Sequence, residues 1–393
     1  MPSVQFDVTT IKPSELKPLT EIVLPALLVP YNERKKVREI MKARSIENFR
    51  AVRYGRRIVG GLFIYYWGHF FGGKSVPAAA IADVGVAPEH RRLGAASKLL
   101  VETLRELHRD GVAISTLYPA NFALYRKTGY ERAMEHAVFE IKLADIRLRN
   151  MALDAVPHEG KSLRILKEIY KRFASATNGN VDRDEIEWDR IAKPWFAPDA
   201  RVYLFKRGRE VEGYVILWFR ERDRTLVFHD YAVLSRDAAE RLVTLLADHS
   251  TVVEKALFPG SYNDPLLQFL PVDSYKLTWH PDCMLRIVSV PRALRARGYP
   301  AGVEAELHLE VSDDILGENI GRLVLKVRDG KGTLKRGGEG RIKLDIRALA
   351  QLYTGFMSPG DLRLAGNLVY PDDDLPILQT VFSGPRPWIR DDF

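Results

Sequence analysis

Cysteine is almost missing from this 393-residue sequence, which has only Cys283. That excludes an intramolecular disulfide framework and any zinc centre built from several cysteines. The plainest role for Cys283 is a small, partly buried apolar residue. Long apolar runs are missing too. The most apolar stretch, Gly61 to Gly73, contains His69 and is far shorter than the ~18 residues of a membrane-spanning helix. The opening MPSVQFDVTT has no basic stretch followed by an apolar one, so it does not read as a secretory signal. The expectation is a cytoplasmic protein that does not associate with membranes. The nine histidines show no ligand spacing, so no metal is expected, and His90 and His108 read as surface residues. No repeat of about 20–50 residues and no low-complexity tract stands out.

Charge of one sign is also scarce. Lys plus Arg number 59 against 51 Asp plus Glu, a net of +8 that is mild at this length and does not call for nucleic acid. The excess is unevenly placed. Residues 1–142 hold 22 basic and 14 acidic side chains, whereas 143–393 hold 37 of each. By itself this is a weak hint of a polyanionic partner. The length exceeds a typical domain of about 100–200 residues, so two or three domains are expected.

The first region opens with an alternating strand at 4–8, and a helical pattern then runs from about Ser14 to Met41. A strand pair follows at 47–54 and 58–66, turned by Gly55-Arg56-Arg57. A buried run at 78–86 is stopped by Pro88. Leu93, Ala96, Leu99, Leu100, Leu104 and Leu107 recur at helical spacing. A strand at 113–118, a short helix at 121–127 and a last strand at 137–143 complete the region. The order suggests an α+β or mixed α/β sheet. A second region, about 144–285, repeats it without a glycine-bearing loop. A third adds strands at 303–311, 323–327 and 340–344, then helices at 346–353, 359–364 and 376–382.

One segment concentrates the chemistry: Val84-Gly85-Val86-Ala87-Pro88-Glu89-His90-Arg91-Arg92-Leu93-Gly94-Ala95-Ala96. A buried strand ends and a helix begins within a few residues. The first amides of a helix lack intrahelical partners and sit at the positive end of its dipole. Gly94, Ala95 and Ala96 let an anion approach them, and Arg91 and Arg92 add charge, a combination that suits a pyrophosphate. Read locally, a plain strand–turn–helix with a solvated Arg pair fits as well. Neither a P-loop nor the G-x-G-x-x-G fingerprint is present.

Arg91-x-x-Gly94-x-Ala96 after Val84-x-Val86 resembles the acetyl-coenzyme A motif of the GCN5-related N-acetyltransferases (GNAT). Asn121-Phe-Ala-Leu-Tyr125-Arg-Lys-Thr-Gly129-Tyr130 resembles that family's Asn…Tyr helix. The whole chain resembles the enhanced intracellular survival (Eis) type. Carrying this are Met284-Leu-Arg-Ile-Val-Ser-Val-Pro-Arg-Ala-Leu, Leu344-Asp-Ile-Arg-Ala-Leu-Ala-Gln-Leu-Tyr-Thr-Gly and the terminal Pro387-Trp388 to Phe393. The resemblance implies an active acyl-CoA N-acyltransferase (GNAT) domain at 1–143, a degenerate copy at 144–284 that holds no cofactor, and a sterol-carrier-like α+β domain at 285–393.

The resemblance also implies roles. Acetyl-CoA would be held by Val84, Val86, Arg91, Arg92, Gly94, Ala95, Ala96 and Asn121. Tyr125 would be the general acid; from the residues alone it reads as a core ring. The free carboxylate of Phe393 would be the base, with the tail docked by Trp388 and Ile389. Trp67, Phe70 and Phe71 would wall the acceptor pocket, with at least one of them in core packing. Asp391 and Asp392 would draw a cationic amine, and are equally explicable as surface acids. The implied acceptor is an aminoglycoside, a polyamine or a lysine side chain, and the implied assembly is a homo-oligomer, a hexamer. The competing reading is a lipid-binding protein that uses the third region, which would need an open apolar tunnel.

Overall fold

The computed structural model describes residues 5–160, 162–194 and 196–393. Val4, the first residue of the strand expected at 4–8, lies outside them. The first part of the chain forms β1 (Phe6–Thr10), α1 (Leu16–Ala26), α2 (Arg34–Ala43), β2 (Phe49–Tyr54), β3 (Arg57–Phe71) and β4 (Lys74–Val86). It continues through α3 (Ala95–Arg109), β5 (Ile114–Leu117), α4 (Phe122–Arg126) and β6 (Glu131–Met134). Next come β7 (Ala137–Lys142), β8 (Asp154–Pro157), α5 (Arg164–Ser175), β9 (Val181–Asp182), α6 (Glu185–Ala192), β10 (Arg201–Arg207) and β11 (Glu210–Arg220). Then follow β12 (Thr225–Val233), α7 (Arg236–Asp248), β13 (Lys255–Gly260), β14 (Tyr275–Trp279) and β15 (Cys283–Ile287). The last part holds α8 (Val290–Ala296), β16 (Ala305–Ser312), β17 (Gly321–Arg328), β18 (Lys331–Arg336), β19 (Ile342–Asp345), α9 (Ile346–Thr354), α10 (Pro359–Leu364), β20 (Leu368–Val369) and α11 (Leu375–Val381).

Two sheets share one plan. The first has the order β1-β2-β3-β4-β5-β15-β6, with β9 attached to β3. The second, read from its far edge, has the order β8-β10-β11-β12-β13-β7-β14. They match place by place, and in each the sixth place is filled by a strand from the other half. The strand at 137–142, which the sequence order assigned to the first sheet, thus lies between β13 and β14, with Phe139 opposite Phe258 and Leu277. In return β15 lies between β5 and β6, with Leu285 opposite Thr116 and Glu131. Apolar alternation says that a strand is buried, not which sheet receives it. Cuts at 143/144 and 284/285 therefore follow the chain rather than the sheets.

The single helix expected over 14–41 is two. Leu28 takes a left-handed φ of 59° and Pro30 follows, so α1 ends and α2 starts afresh. Arg286 on β15 is fully buried and ties the first sheet to the third domain: its Nη2 reaches both carboxylate oxygens of Asp313 at 2.7 and 2.8 Å, and its Nε donates to Thr128 O at 3.0 Å. The third sheet runs β18-β17-β16-β19-β20. Leu309, Leu325, Leu349, Leu352 and Leu378 are fully buried between it and its helices. No helix among the described residues is long and apolar enough to cross a membrane.

Candidate active site

β4 and β5 run parallel but pair only from Ala78–Ile114 to Ala80–Thr116. Beyond that, β4 stays with β3, through Gly61–Gly85 and Gly60–Val86, and the two parallel strands part. A register shift and the left-handed φ of 55° at Asp83 mark the departure. The opening is a cleft of about 630 Å³. All eight residues expected to hold acetyl-CoA (Val84, Val86, Arg91, Arg92, Gly94, Ala95, Ala96 and Asn121) line it, and so does Tyr125.

The cleft's polar side is the turn 87–94 and the start of α3. Gly94 is the N-cap, with φ 92°, and a Cβ there would meet nothing within 4 Å. A glycine cap brings no side-chain oxygen, so the first amides of α3 keep their donors free for an anion. Arg92 is exposed, with φ 62°, and Arg91 folds back to donate from Nε to Val86 O at 3.1 Å. His90 is not the surface residue expected: it lines the cleft, and its buried Nδ1 has no hydrogen-bond partner. Asn121 caps α4, its Oδ1 accepting from Leu124 N at 3.2 Å. Tyr125 is 5% exposed, and burial pushes its phenol up to about 12.

A second cluster forms around the chain's end. The Phe393 ring lies 5.2 Å from Trp67, 5.1 Å from Tyr118 and 6.3 Å from Tyr65, centroid to centroid. Tyr65 and Trp67 stack at 4.8 Å. Arg44 covers Tyr65 at 4.8 Å and bonds Asp83 at 2.8 Å. Tyr118 donates to the Asp391 carbonyl at 3.0 Å and shares a 2.9 Å bond with His136 Nδ1. The carbonyl only accepts, so Nδ1 carries the proton and donates to the Tyr118 oxygen. Burial lowers His136 below the usual imidazole range, which keeps it neutral. Asp392 is exposed, 3.6 Å from His136 Nδ1. Phe70 is buried against the second half, with Tyr170 and Trp188. Phe71 does not join the cluster: it is fully buried, edge-on to Tyr353 at 5.2 Å, because β3 is long enough to carry its far end into the third domain.

The tail that delivers Phe393 is fastened to the second half. Trp388 N donates to Asn178 O and Ile389 N to Glu135 O, both at 2.9 Å. Arg183 grips Asp230 with two bonds of 2.8 and 3.0 Å and Asp391 with one of 2.7 Å; all three side chains are at most 1% exposed. Arg390 adds a 2.9 Å bond to Asp230. Tyr65, Tyr118, His136, Arg183 and Asp230 were not legible as site residues, because their partners lie far along the chain, 273 positions away for Tyr118 and Asp391 and further still for Tyr65 and Phe393. Among the described residues no His, Cys, Asp and Glu cluster suited to a metal occurs.

Family models for acetyltransferase (GNAT) domains match residues 7–133 and 179–287, and one for a sterol carrier protein domain matches 290–390. The chain is 28% identical over 317 residues to the N-acetyltransferase Eis of Mycobacterium tuberculosis, covering 76% of each. A GCN5-related N-acetyltransferase from Anabaena variabilis is 36% identical, with 99% of this chain and 100% of that one covered and a TM-score of 0.94. Eis1 from Mycobacterium abscessus, 24% identical over 99% of this chain and 100% of its own with a TM-score of 0.81, shares the fold. The chain thus belongs to the GCN5-related N-acetyltransferases and is an N-acetyltransferase of the Eis type, with two acetyltransferase folds followed by a sterol-carrier-like domain.

Proposed function

We propose that the enzyme moves acetyl from acetyl-CoA directly to a primary amine of an aminoglycoside, a polyamine or a lysine-bearing substrate. The observation that carries this is the cleft at the parting of β4 and β5, where an uncapped helix start behind Gly94 and the phenol of Tyr125 share one space. The free amides of α3, the Arg91 and Arg92 guanidiniums and the orphaned His90 nitrogen fit a pyrophosphate-bearing co-substrate. When bound, acetyl-CoA supplies the acetyl group and a thiol leaving group. Tyr125 gives the departing sulfur its proton; burial keeps the phenol protonated over the working pH range. The main chain at 84–86 offers an N–H to the acetyl oxygen. The attacking amine is neutral, an ammonium having first given one proton to solvent, and the Phe393 carboxylate takes the next as the C–N bond forms and the C–S bond breaks. The rings of Tyr65, Trp67, Tyr118 and Phe393 and the carboxylate of Asp392 suit an organic ammonium.

In this reading segment 1–143 carries the chemistry, 144–284 braces the tail without holding acetyl-CoA, and 285–393 ends in the tail itself. We propose a homo-oligomer, a hexamer by resemblance, testable by light scattering of the purified chain. The test of the reaction is a panel of amines with thiol release as readout, alongside calorimetric titration with acetyl-CoA. Acetyl-CoA binding with thiol release on some amines is expected. Deleting Phe393 should abolish turnover and leave acetyl-CoA binding intact. Full turnover after that deletion overturns the role given to the tail, and failure to bind acetyl-CoA overturns the reaction.

A further inference from the structure

The second sheet has an opening at the place that corresponds to the first cleft. β12 pairs antiparallel with β11 and, over Thr225–Val227 only, parallel with β13; beyond that the strands part. Between the end of β12, the start of α7 and the turn after β13 lies a cavity of about 370 Å³. Its walls include the rings of Phe173, Tyr231, Phe269 and Trp388, with Ala239 of α7 and the carboxylate of Asp264 among the remaining lining.

Three features decide what fits. Only Leu234 and Ser235 stand between β12 and α7, and the Ser235 hydroxyl accepts from Ala238 N at 3.1 Å, so no loop is present to wrap a pyrophosphate. Asp264, 4% exposed, accepts from Leu266 N at 3.0 Å, from Tyr231 OH at 3.1 Å and from the Ser261 backbone N–H; its charge opposes an anionic ligand, and its two oxygens together keep one lone pair. The buried Arg390 guanidinium lies over the Tyr231, Phe173 and Trp388 rings at 4.3, 5.2 and 5.3 Å. Those rings are already served by one cation, and a second would be repelled. Arg236, the other charged residue of the lining, is neutralised by Glu240 at 2.6 Å, so what remains is a neutral molecule with flat apolar faces. An apolar cavity of about 150 Å³ holds benzene, so this one has room for two rings.

We propose that this cavity is a binding site for a small neutral aromatic molecule of one or two rings that carries a hydrogen-bond donor. Its rings lie against Phe173, Tyr231, Phe269 and Trp388, and its donor meets Asp264. The site lies in the second fold copy, with Trp388 of the tail completing one wall, and does not depend on the reaction proposed above. Trp388 belongs both to this wall and to the tail, so an occupant touches the segment that leads to Phe393.

The probe is indole, followed by saturation-transfer NMR on the full chain. Saturable binding at millimolar concentration or below is expected. It should vanish when the cavity is filled by Ala239→Phe or Val233→Trp, and acetyl-CoA should not displace it. A second measurement needs no variant: crystals soaked in 5-bromoindole should show a bromine anomalous peak between Phe269 and Trp388. No saturable signal, a signal that survives both folded variants or yields to acetyl-CoA, or a bromine peak only outside this cavity would overturn the proposal.

Discussion

In the first half the chain uses eight residues, Ala87 to Gly94, between the end of β4 and the start of α3; in the second it uses two, Leu234 and Ser235, between β12 and α7. The strands flanking these turns are alike in number, order and the three-pair length of the parallel contact. The long turn ends on a glycine that leaves the helix amides free. The short one ends on a serine that satisfies one of them itself. The lesson is that the sheet makes a cleft in both halves and the turn decides what it can hold. The two halves differ in the setting of a charge as well. Asp83 and Asp230 occupy corresponding places, each three residues past the last parallel pair. Asp83 meets Arg44 near the surface, with side chains 24% and 21% exposed, while Asp230 meets Arg183 and Arg390 in the interior, all at most 3% exposed.

The two halves should differ most at Tyr125. Tyr125→Phe should lower turnover by about 10²–10⁴-fold, the usual worth of a positioned acid, with acetyl-CoA affinity kept. Arg236→Ala at the second cleft should leave turnover unchanged. Steady-state rates with calorimetry separate the two, and equal losses would mean that both clefts serve the reaction. Next are the aspartate partners. Arg183→Ala strands the buried Asp391 carboxylate and leaves Asp230 to Arg390 alone, and should cost about 3–5 kcal/mol. Arg44→Ala removes a half-exposed pair and should cost about 1 kcal/mol or less. Urea unfolding of the two variants measures the difference.

How much of this was legible follows from distance along the chain. The turn 84–96 and the Asn121…Tyr125 helix could be read because strand end, glycine, arginines and helix start are consecutive. The grip on the tail could not, since Arg183 meets Asp230 across 47 positions and Asp391 across 208. Nor could the exchange of β7 and β15, because a short buried strand carries no address. Phe71 stands with Trp67 and Phe70 on the segment before β4, and nearness in sequence suggests one shared pocket wall. Only the length of β3, Arg57–Phe71, takes it away from the Phe393 cluster and into contact with Tyr353.

Acid sharpens the contrast between the halves at their buried histidines. Burial pushes His69 in the first sheet down to about 4, and its ring is fixed by Nδ1–H to Gly179 O at 2.7 Å, with Nε2 accepting from Trp67 and Thr116. His229, beside Asp230, is also held near 4 by burial, yet its Nε2 has no hydrogen-bond partner. The unfolded chain takes up protons on both rings near pH 6.5, whereas the folded chain does not until about pH 4. Stability is therefore full above pH 6.5 and falls as the pH drops through that window, by roughly 3 kcal/mol for the fully buried His69. Urea titrations at pH 7.5 and 4.5 should show a smaller pH difference for His69→Gln than for the parent chain, and an unchanged difference would remove His69 from the account.

The smallest effects test the turns themselves. Gly94→Ala places a side chain at φ 92°, costing about 1 kcal/mol through the left-handed backbone, since no neighbour stands within 4 Å of the new Cβ. Ser235→Ala removes a cap and should also cost about 1 kcal/mol. The two are matched in stability, so any difference in ligand affinity comes from where each turn sits. The new Cβ at 94 stands at the mouth of the free amides and should weaken acetyl-CoA binding. The change at 235 uncovers an amide in a cleft whose Asp264 opposes anions, and should leave acetyl-CoA binding as it was. Equal affinity in both variants would mean that the glycine serves the fold alone and that the length of the turn, not its cap, separates the two halves.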